Sequence, residues 1–505
     1  MTITTRQELI GFLESGEGLV AAIALFAAIA LVAFGLLFAR LRRIERTADS
    51  AGDPWAGGDL GRAIASLLAA ACVLLPLVFT IASGDVFALP KTVVLWAVAA
   101  AAAVLVAVAL ARDRRLRRTD PLTIAVLAYT GLTVVATILS IDPGHSLAGE
   151  KFQYQGLFSS LAYVVLFMAA RLSITSVARV QGVALGLLAS AAIAAAYAIA
   201  QAVSLDPIWT TLYKDRPFST MGQASALASV FGMATLLSLS LVVGRPRRVQ
   251  AVVVAGAILS AIGLALTFSR GGYLGIVAGV IVACLVLAAG RSLSVPWARL
   301  VRTAIPVAGA VLLLGAVVIV WQPVNAFAGQ IAQRAFSIPA VTETSNRSHL
   351  DMWEVGIRIA AEHPLIGTGP DSYVLLFGDY RDRVLTPERA VVMARFRPES
   401  AHNVYISTAA GAGVPALIAY VAMIGLALAA GVQAARRDVS PAARLTLAGL
   451  IGAVAVHLVT DSFMTAEAAS AGIFWIMLGA IAGFAGSLTP EMKATEAAPA
   501  PAATG

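Results

Sequence analysis

The sequence predicts an all-α protein, a helix bundle that crosses a membrane about thirteen times, and three observations predict it. Of 505 residues, 59% are hydrophobic and 13% charged, and the mean hydropathy is +0.85; a soluble domain of this length needs more polar surface to cover its core. The apolar residues fall in runs of about 20, the length of helix that crosses a ~30 Å hydrocarbon layer. The basic residues stand in short clusters between those runs, which is how membrane topology distributes Lys and Arg. Net charge +8 and a pI near 9.8 therefore reflect topology, and no nucleic-acid partner is implied. Cys72 and Cys284 each lie alone inside an apolar run, so neither a disulfide nor a metal site is signalled.

Applied in chain order, the length test gives spans at about 18–39, 63–83, 91–111, 121–140, 157–171, 180–203, 223–243, 250–268, 272–290, 303–321, 404–432, 443–462 and 470–487. The first run exceeds a signal peptide's apolar core and is followed by Arg40-Leu-Arg-Arg-Ile-Glu-Arg46, so it is expected to remain as a membrane anchor. The chain then divides into 1–62, an additional amino-terminal span with a Gly- and Pro-containing linker; 63–321, the main bundle; 322–401, a large polar loop; 402–488, the carboxyl-terminal spans; and 489–505, an Ala- and Pro-rich tail expected to be disordered. Counted by side, one set of connections carries Arg40, Arg42, Arg43, Arg46, Arg62, the cluster from Arg112 to Arg118, Arg171, Arg179, Arg245, Arg247, Arg248, Arg291, Arg299, Arg302, Arg436, Arg437, Arg444 and Lys493. The other, outside the long loop, carries only Arg6, Lys91, Lys151, Lys214, Arg216 and Arg270. Basic loops stay in the cytoplasm, so the amino terminus is expected outside, the carboxyl terminus inside, and the long loop on the extracytoplasmic face of the cytoplasmic (inner) membrane.

Polar groups collect at that outer face: Glu150 and Lys151, Arg216, Arg270, and His457 with Asp461. Ionisable residues that enter a bundle are functional candidates, and this placement suggests a site at one interface rather than a relay through the membrane. Arg270 opens a helix in Thr267-Phe-Ser-Arg-Gly-Gly-Tyr273. A helix amino terminus with Gly271 and Gly272 lets an anion approach the backbone, and an Arg there adds a planar fork suited to phosphate oxygens. In the long loop, residues 345–363 carry Met352, Val355, Gly356, Ile359 and Ala360 at helical spacing, and Pro364 stops the helix. It reads as a short amphipathic helix over the bundle, a lid or wall with Trp353 at the water interface, while His349 and His363, near its ends, read as capping or solvated residues. Leu365-Ile-Gly-Thr-Gly-Pro-Asp371 follows as a turn-rich segment. His402, after Arg395, Arg397 and Glu399 and beside Asn403 and Tyr405, stands at the start of a long apolar helix, where a His either caps the helix or acts as a general base. No acidic cluster with metal spacing accompanies it.

Taken together, Ser269-Arg-Gly-Gly-Tyr-Leu-Gly275, Arg347 with Trp353, His363-Pro-Leu-Ile-Gly-Thr-Gly-Pro-Asp-Ser-Tyr373, Ala401-His-Asn-Val-Tyr-Ile and Ala412-Gly-Val-Pro-Ala-Leu417 resemble, in order and spacing, the O-antigen ligase and O-antigen polymerase family, over about 123–485. The resemblance implies a metal-independent membrane glycosyltransferase of the GT-C type with no cofactor. Its donor would be a glycan on undecaprenyl diphosphate, and its acceptor a saccharide, lipid or protein hydroxyl presented at the membrane lipid surface. It implies that Arg270 and Arg216 hold the diphosphate and that His402 activates the acceptor, with Gly271, Gly272, Arg347, Trp353, Arg397, Glu399, Asn403 and Tyr405 around the substrates. Gln223-Ala224 stands where members often carry Asn-Pro, and the first span is an addition to their usual twelve. The alternatives are a polysaccharide polymerase, which shares these motifs, and a transporter of lipid-linked sugar; transporters place their sites near the midplane, where this chain has almost no charges.

Overall fold

Capping residues and prolines set where the helices begin. Asp120, Asp142 and Ser440 each precede a proline and accept the N–H of the residue three positions on, Thr123, His145 and Ala443. Proline at the first helical position loses no hydrogen bond, because that donor has no intrahelical partner. The fold is given by a computed structural model, which describes residues 58–488 except 83, 114–115, 117–118, 203–205, 207, 209–215, 243–244 and 290–343.

The described helices are α1 (Asp59–Leu77), α2 (Ala88–Arg112), α3 (Pro121–Ile138), α4 (Pro143–Ala148), α5 (Leu157–Ser173), α6 (Val177–Ala202), α7 (Ala224–Leu237), α8 (Leu239–Val242), α9 (Arg247–Leu266), α10 (Arg270–Ala288), α11 (Thr344–Glu362), α12 (Tyr373–Val384), α13 (Pro387–Met393), α14 (Val404–Ala435), α15 (Pro441–Thr460) and α16 (Ala468–Ser487). No strand occurs among the described residues. Among the described residues ten spans, with α7 and α8 counted as one, are long and apolar enough to cross a membrane; α5 is apolar but shorter. The expected spans at 18–39 and 303–321 lie outside the described residues, as do most of 1–62 and the tail. Val104, Ile124, Leu127, Ile138, Val277 and Leu285 are exposed on helix exteriors, an outer surface suited to lipid.

α16 is buried along its whole span and forms the axis of the bundle, packed against α5, α14, α15, α1 and α2. Its Trp475 gathers Tyr129, Tyr163 and Tyr420, with ring centroids 5.9, 6.0 and 6.0 Å away.

Helix ends meet on two faces. On one, Arg171 binds Asp120 and Thr123, Arg245 donates to Gln181, and Arg444 donates to the carbonyl of Ala435. On the other, the loop face, α11, α12 and α13 form a small apolar body around Met352, Val355, Ile359, Phe377 and Tyr380 that rests on the start of α14. Arg389 pins α13 to α11 through Asp351 and Glu354.

The long helix α14 is broken, which the length test did not foresee. Gly413 has φ 86° and Pro415 follows; proline has no N–H, so the Gly411 carbonyl loses its helical donor. The segment 364–369 fills the gap: Gly369 N–H donates to Gly411 O at 2.8 Å, Thr368 N–H to Ala410 O at 2.9 Å, and Val414 N–H to Pro364 O at 2.8 Å. A helix interrupted inside a membrane protein must have its freed backbone groups satisfied by other parts of the chain. Here the turn-rich stretch of the long loop does so, and it also reaches the connection between α3 and α4, where Ile141 N–H donates to Thr368 O at 3.1 Å.

Candidate active site

Backbone strain is concentrated on the loop face. Among the described residues six non-glycines have left-handed φ: Phe152, Tyr154, Ser219, Phe268, Asp371 and His402. Each lies in a connection or turn on that face. Such a conformation costs about 1–3 kcal/mol and persists only where the surroundings impose it.

Arg270 begins α10. Ser269 caps that helix by accepting from Gly272 N–H at 3.2 Å, and the left-handed Phe268 turns the chain just before it. Gly271 and Gly272 lie where helices meet: a Cβ on Gly272 would stand 2.6 Å from Ala228 Cβ, and one on Gly271 3.3 Å from Phe463 Cβ. Close approach of α10 to α7 and to the α15–α16 connection therefore accounts for both glycines.

Arg216 joins the same turn. Its Nε donates to Thr267 O at 2.9 Å, three residues before Arg270. The segment after it is held from three sides. Gln201 accepts from Phe218 and Ser219 N–H at 3.1 and 2.7 Å, Thr220 Oγ1 donates to Pro76 O, and the buried Lys91 ammonium donates to Val78 O and Thr220 O at 2.6 and 2.7 Å. Lys91, an outer-face cation in the sequence reading, serves as an internal tie.

His402 stands in the turn before α14 with φ 51°. Its Nδ1 lies 3.2 Å from Ser400 O and 3.4 Å from Thr465 Oγ1. A carbonyl oxygen only accepts, so Nδ1 is assigned the proton and Nε2 the free lone pair of a base. Burial lowers the His402 pKa below the ordinary histidine value, partly offset by the Ser400 carbonyl and by Glu399. Asn403 beside it is an N-cap: its Oδ1 accepts from Tyr405 and Ile406 N–H at 3.0 and 3.1 Å, while Nδ2 donates to Ser462 O at 3.1 Å. Val404 N–H donates to Asp461 O, so the His402 turn is fixed to the end of α15.

The structure adds one residue to this group. His349, expected to be a capping or solvated residue, lies with its ring centroid 5.5 Å from that of His402. Burial, and then the charges of His402 and Arg270, push its pKa down to about 4. His349 thus lies beside the general-base candidate and close enough to the anion-binding candidate to feel its charge. Its signal was present in the sequence: it falls on the same helical face as Met352 and Gly356.

The other expected residues are distributed unevenly. Trp353 is half-buried: its ring packs on Phe463 at 5.8 Å and its Nε1 is buried. Glu399 accepts from Gln153 Nε2 at 3.2 Å, and Tyr405 Oη donates to Leu458 O at 3.5 Å. Arg397 is exposed, and Arg347 is half-exposed, 3.3 Å from Asp351. His363 is exposed near Tyr380. His457 is buried between Ser229, 3.0 Å from Nδ1, and Asp461, 3.7 Å from Nε2.

Behind Ser400 lies a cavity of about 120 Å³ walled by Tyr129, Tyr163, Tyr420, Trp475 and Asp461. Neither His402 nor Arg270 borders it. Asp371 closes its outer end: Oδ2 accepts from Glu150 and Gln155 N–H at 2.7 and 3.1 Å, and burial raises its pKa to about 6. Among the described residues no group of three or more His, Cys, Asp or Glu side chains stands together as a metal site.

Two comparisons bear on this arrangement. Residues 255–421 match the family model described as O-antigen ligase. The matched stretch holds Arg270, His349, Trp353 and His402, and both partners of the α14 break; Arg216 lies before it. The match supports assigning this multi-pass membrane protein to the O-antigen ligase family. No curated protein matches the chain.

Proposed function

We propose that the protein is an O-antigen ligase-like glycosyltransferase that moves a glycan from undecaprenyl diphosphate to an acceptor hydroxyl at the outer face of the cytoplasmic membrane. The observation that carries this reading is the occurrence of Arg216, Arg270 and His402, from three distant stretches of chain, on one strained face, with Arg216 bonded to the turn before Arg270 and His349 beside His402 and within the field of Arg270. The distribution of Lys and Arg supports an extracytoplasmic position for that face.

The chemistry asks for what these residues offer. The acceptor O–H is attacked at its proton by His402 Nε2 while its oxygen forms a bond to the anomeric carbon. The bond from that carbon to the diphosphate oxygen breaks, and the electron pair leaves with the diphosphate. Arg216 and Arg270 hold the diphosphate as its negative charge grows, and such preorganised electrostatic stabilisation is usually the largest catalytic contribution. Positioned general bases add about 100- to 10,000-fold. Attack opposite the leaving group inverts the anomeric centre. No step passes through a metal or a cofactor.

Purified protein supplied with undecaprenyl-diphosphate glycan and a panel of acceptors, in the presence of EDTA, tests the proposal. Release of undecaprenyl diphosphate with a lengthened acceptor, lost in Arg270→Ala and His402→Ala, is the expected result. Movement of the lipid-linked sugar across a reconstituted bilayer, with no transfer to any acceptor, would refute it.

A further inference from the structure

α11 turns its apolar face inward, and Met352, Val355 and Ile359 fill the small core beneath it. At the amino-terminal end of the same helix, two side chains one turn apart break that pattern. His349 Nδ1 and Trp353 Nε1 are both buried, and neither has a hydrogen-bond partner among the described residues. An unpaired buried polar group is unfavourable, and a buried indole N–H ordinarily finds an acceptor. These two atoms lie at i and i+4: His349 is beside the His402 ring and feels Arg270's charge, and Trp353 packs on Phe463, which also abuts Gly271 next to Arg270; together they mark a place built for a polar ligand.

The atoms define the ligand's chemistry. Trp353 Nε1 only donates, so the ligand must present an acceptor. Arg270's charge acts on His349, one turn away, so the favoured acceptor is anionic. An oxygen-rich anion with several acceptors on one centre, a phosphate, suits both nitrogens and the arginine at once.

We propose that His349 and Trp353 complete the seat of the donor's diphosphate, each giving one neutral N–H to the oxygens that Arg270 holds from the other side. The inference rests on the glycosyl-transfer reading and extends it to two contacts. Neutral donors have a specific advantage at this position. They support the charge that grows on the diphosphate as it departs, without adding fixed cations that would retain the product.

The test uses full-length protein in phosphatidylcholine nanodiscs, with undecaprenyl diphosphate as probe and inorganic diphosphate and phosphatidylglycerol as competitors. Wild type is compared with Arg270→Ala, His349→Phe, His349→Asn and Trp353→Phe. His349→Phe and Trp353→Phe keep a ring in place but remove the donor. Each is expected to weaken binding by about tenfold or more, with a melting temperature unchanged or raised. His349→Asn, which restores a donor near the Nδ1 position, should bind within about threefold of wild type, since a conservative replacement loses only part of one net hydrogen bond. Inorganic diphosphate should compete, and phosphatidylglycerol should not. Wild-type affinity in both Phe variants, alongside weak binding in Arg270→Ala, would overturn the inference and leave the transfer reading standing. Equal competition by phosphatidylglycerol would overturn the assignment of the seat to a diphosphate. Failure of wild type to bind, or full affinity in Arg270→Ala, would defeat the transfer reading and this inference with it.

Discussion

Replacing Gly413 by alanine tests the scaffold that holds the His402 turn. At φ 86° and ψ 163° the residue occupies a region essentially reserved for glycine, and any other residue there costs about 1–3 kcal/mol. An added Cβ would also meet the Leu365 carbonyl, its carbon 2.6 Å away, and Ile366 N at 2.9 Å. These are backbone atoms of the stitched segment and cannot rotate aside. Relief requires the 364–369 segment to move off α14, which breaks the three backbone hydrogen bonds that join them, each worth about 0.5–1.5 kcal/mol net. The strain and the lost bonds together come to about 3 kcal/mol or more. Gly425 lies in the same helix with nothing within 4 Å of its would-be Cβ, so Gly425→Ala should be neutral or stabilising by up to about 1 kcal/mol. Melting temperature and glycan transfer, measured for both variants in one detergent, should separate them: Gly413→Ala falls in both, Gly425→Ala in neither. Equal behaviour of the two would refute the argument that the break is held by the loop.

Other consequences can be checked in the same preparations. His402 must be neutral to act as a base, and its folded pKa lies below the ordinary value; the acid limb of kcat/KM should therefore fall below about pH 6.5. Glu399 raises that pKa, so Glu399→Gln should move the acid limb to still lower pH, whereas an unmoved limb would disconnect His402 from it. Asp371 has a folded pKa raised to about 6, so the stability it lends is full below about pH 4 and is lost as pH rises through about 6. Asp371→Asn, which keeps an acceptor for Glu150 and Gln155, should remove that slope in pH-dependent melting. Asp371→Ala, which leaves both N–H groups unpaired, should destabilise at every pH by about 1–3 kcal/mol. Asn403→Ala removes a double cap and the tie to Ser462, and a loss of about 2 kcal/mol in thermal stability is expected.

Much of the bundle was legible because length and apolarity alone decide where a helix can cross a membrane. The expected spans at 121–140 and 223–243, for instance, correspond to helices at Pro121–Ile138 and Ala224–Val242. Arg270 was legible as a helix start because Ser269 is a capping residue, and His402 because it stands where a polar loop meets an apolar run. Other features depended on contacts between distant parts of the chain. Gly413 and Pro415 announce a break in α14, but nothing local says that residues 364–369, some fifty positions earlier, repair it. The environment of Lys91 likewise comes from Val78 and Thr220, and no periodicity in α2 reveals it. A place near a helix end suggests a capping or solvated role for His349, whereas its register with Met352 and Gly356 puts it on the inward face.

The α14 break and the strained turns belong to one physical arrangement. Residues 404–412 form a half-helix between the His402 turn and Gly413. Its lower end is tied to 364–369, and its upper end to Asp461 and Ser462 through Val404 and Asn403. An unbroken α14 would let the His402 turn follow every tilt of a 32-residue helix. A break anchored at both ends isolates a short rigid piece and makes its position depend on the loop instead. The same loop carries α11, and with it His349 and Trp353, so the base and the proposed diphosphate seat share one support. That coupling gives stretches without candidate catalytic side chains, Pro364–Gly369 and Ala412–Leu417, a role in the proposed site: they fix the separation between two halves that no single helix holds.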